Sequence, residues 1–213
     1  AMYDVFQSIM LKDKMAHHKF ESCAACGDRM FIGTGEGAVM VYQIIPKNND
    51  SYDTKGLQIE RTKNKLPITQ LIPVPALNIL LLVTGGMLIA HKLDDCTELA
   101  VCKGLREVIM VDVKKDKDRI YVASVIRKKV FIHEVRDTPE RFHKLREYSL
   151  PEGIKTITWS GKNILLGFKK EYVLLDASKQ DSTPESLYPT SKQQQPISCN
   201  TVPMRELLVG EDA

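Results

Sequence analysis

Three stretches of the chain put reactive or charged side chains at spacings that could do chemistry. Cys23-Ala24-Ala25-Cys26 has the spacing of half a zinc site or of a redox pair, and His17 and His18 just upstream could complete four ligands. On a strand, however, residues three apart point to opposite faces, so the two thiols diverge. No second Cys-x-x-Cys follows, and buried strand cysteines are the stronger reading. Gly33-Thr34-Gly35-Glu36-Gly37 has the glycine density of a phosphate loop. A dinucleotide fingerprint must open a helix, whose N-terminus takes the pyrophosphate. Here the last glycine leads into Ala38-Val39-Met40-Val41-Tyr42, a strand pattern, and no Gly-Lys-Ser/Thr is present. A hairpin turn is the better account.

The third stretch is cationic and in two parts. Arg127-Lys128-Lys129 and Lys169-Lys170 each fall between two apolar runs. Such a patch can be a solvated rim, or it can dock an acidic protein surface or anionic lipid, raising encounter rate and orienting the partner. No Gly-x-Ser-x-Gly elbow and no His-Glu-x-x-His occurs. The scattered Asp, Glu, Ser and His single out no triad or acid–base pair, so the sequence predicts no catalytic residue, no metal site and no cofactor.

The elements that must position these residues come from a repeat. A polar residue followed by four apolar or small ones begins at Arg29, Asn78, Arg119, Asn163 and Glu206, at spacings of 49, 41, 44 and 43 residues. A period in that range marks one repeated supersecondary unit, and strand patterns fill it. Units are expected over 21–63, 68–103, 108–150 and 154–188, each of four strands in meander order, with a fifth starting at 197–210. Residues 2–10 are a candidate closing strand. The clearest hairpin is Asn163 to Asp176, with Lys169-Lys170 at its turn. Arg127-Lys128-Lys129 occupies the equivalent turn of the preceding unit, so five cations are expected on one face. Asn48 to Lys55 reads as a polar loop and Lys114 to Arg119 as a solvated one; Thr138 to Lys144 could hold a helical turn. Trp159, the only tryptophan, reads as packing at the end of an inner strand.

The expected fold is therefore all-β, a partial β-propeller of about four and a half blades. The 213 residues carry 43% hydrophobic side chains, enough for a sizeable core, and a net charge of +3, too mild to argue for nucleic acid. No run of about 18 apolar residues could span a membrane as a helix. Five cysteines without framework spacing fit reduced thiols in a cytosolic protein. Ala1 ahead of Met2 makes Met2 the expected natural start.

Gly167-Phe168-Lys169-Lys170-Glu171-Tyr172, then Leu187-Tyr188-Pro189-Thr190 and Val209-Gly210, resemble the citron homology (CNH) domain, specifically the copy opening the vacuolar protein sorting-associated protein 39 family. Met2-Tyr3-Asp4-Val5-Phe6 matches that family's start, and Ile32-Gly33-Thr34 with Gly37 and Tyr42 matches its first hairpin. The resemblance covers essentially the whole chain, but only about the first two-thirds of the family's N-terminal domain, and it implies a β-propeller of CNH/WD40-like type with roughly seven blades when complete. It implies a non-enzymatic module of a HOPS tethering subunit, which brings late endosomes together with lysosomes or vacuoles before fusion. The implied partners are a late-endosomal Rab GTPase or its adaptor, other HOPS subunits reached through a solenoid outside this sequence, and peripheral contact with anionic membrane. The implied location is cytoplasmic, peripheral on late endosome, lysosome or vacuole membranes. Two alternatives stay open: a CNH regulatory domain of a signalling protein, and the CORVET paralogue described as a TGF-β receptor-associated protein.

Overall fold

Residues 18–47 and 51–189 are described by the computed structural model. The candidate strand at 2–10, the start of a fifth unit at 197–210, and His17 lie outside them. Among the described residues, sixteen strands and one 3-10 turn make up the regular structure. The first sheet, in the order β1-β2-β3-β4, is Phe20–Cys26, Arg29–Thr34, Ala38–Lys47 and Ser51–Arg61. The second is β5 to β8: Ile68–Val74, Ile79–Thr84, Met87–Lys92 and Glu98–Val101. The third is β9 to β12: Met110–Asp116, Arg119–Ile126, Lys129–Val135 and Phe142–Ser149. The fourth is β13 to β16: Thr156–Ser160, Asn163–Gly167, Glu171–Asp176 and Glu185–Pro189. Every pairing within these sheets is antiparallel. The fold is an all-β partial propeller, each blade a four-stranded meander.

The chain divides into two units, Ala1–Glu107 with Asp137–Arg141, and Val108–Arg136 with Phe142–Ala213. In unit 1 the first two sheets share a core of Phe31, Val39, Val41, Ile68, Leu80 and Leu82. In unit 2 the last two share one of Val125, Val130, Ile132, Ile164, Leu166 and Phe168. Each such side chain contributes about 1.5–3 kcal/mol by leaving water. The middle strands carry most of it; all six residues of β6, Ile-Leu-Leu-Leu-Val-Thr, are buried. Polar clips tie sheet to sheet within each unit. Ser22 Oγ–H donates to the Ile68 carbonyl at 2.6 Å in unit 1. In unit 2 the Trp159 backbone N–H donates to Asp112 Oδ2 at 2.7 Å, and its indole N–H to the Asp112 carbonyl at 3.2 Å.

Three local expectations are corrected. The loop expected at Asn48 to Lys55 is largely strand: β4 starts at Ser51, and Tyr52, Asp53 and Thr54 pair with Pro46, Ile45 and Ile44. The solvated loop expected at Lys114 to Arg119 shrinks to a turn at Lys117 and Asp118. Lys117 takes a φ of 54°, and Lys114, Lys115 and Asp116 continue β9 opposite Tyr121, Ile120 and Arg119. Ladder hydrogen bonds outweigh the polar composition there. No helical turn forms at Thr138 to Lys144, where β12 begins at Phe142; the one short helix described is the 3-10 turn Pro75–Leu77.

One further feature recurs in every sheet. The outermost strand is bulged, and the residue skipped by the pairing is a leucine each time: Leu57, Leu99, Leu145 and Leu187. All four side chains are exposed, between 38% and 47%.

Candidate protein-interaction site

The two basic turns close equivalent hairpins of unit 2. Arg127 and Lys128 join β10 to β11, with Arg127 at a φ of 54° and Lys129 opening β11. Lys169 and Lys170 join β14 to β15. The second turn is anchored by Phe168, whose ring is buried to 1% exposure and whose N–H donates to the Glu171 carbonyl at 2.9 Å. A strong apolar anchor beside two lysines forces the lysines outward. The β12–β13 connection bridges the turns: Leu150 N–H donates to Lys128 O at 2.8 Å, Ile154 N–H to Arg127 O at 3.2 Å, and Lys155 N–H to Gly167 O at 2.7 Å. These bonds bring both turns to one end of unit 2.

The five cations are all exposed, but they are not equivalent. Lys129 Nζ donates to Glu147 Oε1 at 2.6 Å, and Lys144 takes the other carboxylate oxygen at 2.6 Å. Those two ammonium groups, Lys129 first, hold the Glu147 carboxyl below its usual range. Lys128 Nζ donates to the Pro151 carbonyl at 2.9 Å. Lys169 and Lys170 make no hydrogen bond or ion pair among the described residues. Lys155, also exposed, is a sixth cation in the same connection, missed because it stands alone in sequence rather than in a run.

The other two stretches do different things. Cys23 pairs with Ile32 and Cys26 with Arg29 on β1, so the thiols diverge as expected, but Cys23 is exposed and Cys26 only half-buried. The expectation of two buried thiols is corrected. Alternation along β1 turns Cys26 toward the unit 1 core and Cys23 away from it. Among the described residues the fully buried cysteines are Cys96 and Cys102. No cluster of three or more His, Cys, Asp or Glu among the described residues could hold a metal ion. Gly35 to Gly37 forms the β2–β3 turn, with Gly37 at a φ of 75° and the Thr34 hydroxyl oxygen accepting from Ala38 N–H at 3.0 Å. A strand follows where a phosphate loop needs a helix. No helix among the described residues is long and apolar enough to cross a membrane.

Comparison with known proteins adds an independent line. Residues 26–210 match the model of the CNH domain. Vacuolar sorting protein 39 of Arabidopsis thaliana is 28% identical over 221 residues, covering 99% of this chain and 20% of that protein. The Vam6/Vps39-like protein of Mus musculus is 24% identical over 230 residues, covering 99% of this chain and 25% of that protein. The chain thus spans a fifth to a quarter of the length of the relatives it matches. Among solved structures, the AfRom2 CNH domain superposes with a TM-score of 0.63 at 12% identity, over 83% of this chain and 58% of that one. Saccharomyces cerevisiae Sqt1 does so with 0.59 at 14% identity, over 80% of this chain and 52% of that one. These two likenesses bear on fold alone.

Proposed function

The chain belongs to the CNH domain family, and from that premise we propose that it is a non-enzymatic protein-interaction module of a HOPS-type tethering subunit. Its task in this reading is to help join late endosomes to lysosomes or vacuoles, as a cytoplasmic protein peripheral to those membranes. The observation that carries the reading is that a vacuolar sorting protein 39 and a Vam6/Vps39-like protein each align along 99% of this chain. The mechanism is surface display. Blades with well-filled cores hold their turns at fixed positions, so a partner meets a preformed face and little ordering entropy is lost on binding.

The contact we assign is the end of unit 2 bearing Arg127, Lys128, Lys129, Lys169 and Lys170, facing an acidic surface of a late-endosomal Rab GTPase or its adaptor. Lys169 and Lys170 lead it, because they carry charge that no neighbour in the described residues neutralises. Contacts to other HOPS subunits belong to parts of the protein outside this chain.

Two experiments test this. Affinity capture with the full-length protein should recover tethering subunits; recovery of a signalling kinase in their place would reject the assignment. Lys169→Glu with Lys170→Glu should slow GTPase or adaptor association about tenfold at low salt, with an unchanged thermal midpoint. Wild-type association rates in that variant would remove the basic turns from the contact.

A further inference from the structure

Unit 2 carries a groove of about 400 Å3 at the end opposite the basic turns, where β9 ends, β10 starts and β13 turns into β14. Five cations line it, Lys114, Arg119, Arg136, Arg146 and Lys162, against the two carboxylates of Asp116 and Glu134. The lining is thus positive by three. Its apolar part includes Tyr121, Leu145 and Trp159.

Four of the five cations already have partners. Arg136 and Arg119 flank the buried Glu134 carboxylate, Arg119 at 3.9 Å. Lys114 lies 3.2 Å from Asp116, and Lys162 lies 3.0 Å from Asp176. Arg146, half-buried, makes no hydrogen bond or ion pair among the described residues. A guanidinium partly withdrawn from water without an anion is a ready receptor for a carboxylate, which it can hold through two parallel hydrogen bonds.

The bulge of β12 explains why this arginine lines the groove. Ile132 pairs with Arg146 and His133 with Lys144, so Leu145 is skipped. Consecutive residues of a regular strand face opposite sides, whereas Leu145 and Arg146 both line the groove. In the other three sheets the skipped leucine is followed by Gln58, Ala100 or Tyr188. Only the third sheet follows it with a cation. Beside this pair, Trp159 is held by Asp112, and Lys114 Nζ sits 5.5 Å from the Trp159 ring and 5.9 Å from the Tyr121 ring. The platform is therefore fixed before any ligand arrives.

We propose that this groove binds an acidic peptide segment, one carboxylate on Arg146 and a neighbouring aliphatic or aromatic side chain against Leu145 and Trp159. A polyphosphate or nucleic-acid backbone fits less well. Each needs several open cations, and Asp116, Glu134 and Asp176 would repel it. The site is separate from the basic turns, so it stands or falls independently of the GTPase contact.

The test is selection of a displayed random dodecapeptide library on the folded chain, then fluorescence anisotropy of the enriched peptide. Enriched sequences should combine Asp or Glu with Leu, Phe or Trp. Arg146→Glu should weaken the best peptide about tenfold or more, equivalent to a lost charge-assisted pair. Leu145→Ser should weaken it less, with the thermal midpoint of both variants kept near wild type. Lys169→Glu with Lys170→Glu should leave binding unchanged. No acidic enrichment, binding indifferent to Arg146→Glu, or dependence on Lys169 and Lys170 would each overturn the proposal. So would displacement of the peptide by phosphoinositide vesicles or a single-stranded oligonucleotide at lower concentration than by the unlabelled peptide.

Discussion

His133 shows what a repeat fold does to a single titratable side chain. It lies on β11 with 3% of its surface exposed, next to the Lys144 charge, and burial first and Lys144 second push its pKa from 6.5 down to about 4. His91, on β7, is likewise shifted down, mainly by burial, although its Nδ1–H reaches the Cys96 carbonyl at 2.6 Å. Both are neutral in the fold. Because the unfolded chain takes up these protons more readily, stability is complete above about pH 6.5 and falls as pH drops toward 4. For His133 the full loss is on the order of 3 kcal/mol. Urea unfolding at about pH 7 and pH 5 should show a lower midpoint at pH 5, and His133→Gln should flatten the difference. Equal midpoints in the wild type would contradict the burial argument. Thiols divide by the same physics. Burial pushes Cys96 up to about 11 and Cys102 up to about 12, whereas Cys23 is exposed. Brief iodoacetamide treatment at neutral pH should label Cys23 and spare Cys96 and Cys102, read site by site by peptide mass spectrometry.

At the scale of the strand and turn, glycine position decides tolerance. Gly37 and Gly104 both hold positive φ, at 75° and 81°. A Cβ on Gly37 would meet Lys65 backbone at 2.8 Å, whereas one on Gly104 meets nothing within 4 Å. Gly104→Ala should therefore cost about 1–2 kcal/mol from the backbone alone. Gly37→Ala should cost at least about 1 kcal/mol more, since backbone cannot step aside. Comparable urea midpoints would mean the β2–β3 turn is looser than its geometry. The hairpins themselves were legible because their middle strands, such as Ile79 to Val83, are runs of apolar residues buried at 0–1%. Outer strands were hard to read for the converse reason. Residues such as Tyr52, Asp53 and Thr54 are exposed or half-buried and carry no period, so only their ladder to β3 reveals them. The basic turns were visible as runs of like charge. Lys114, Arg119 and Arg146 were not recognised, because they come from separate elements and converge only through pairing register.

The whole chain repeats more than its apolar strands. Leu57, Leu99, Leu145 and Leu187 recur at spacings of 42, 46 and 42 residues, each at the bulge of an outermost strand. Among the described residues such a strand pairs on one side only, and a bulge twists it and interrupts the ladder that another strand would extend. The leucines are thus placed by an edge device rather than by the core, which their exposure of 38–47% supports. One consequence separates these roles. Replacing all four by Ser should lower unfolding free energy by no more than about 2 kcal/mol, since exposed positions each shift it by about 0.5 kcal/mol. Leu82→Ala alone should cost about 2–5 kcal/mol, because Leu82 is 0% exposed at the centre of β6. Urea denaturation with matched slopes measures both. If four rim leucines outweigh one core leucine, they are packing residues and the bulges serve the interior; if they do not, the rim leucines are surface, free to meet a partner.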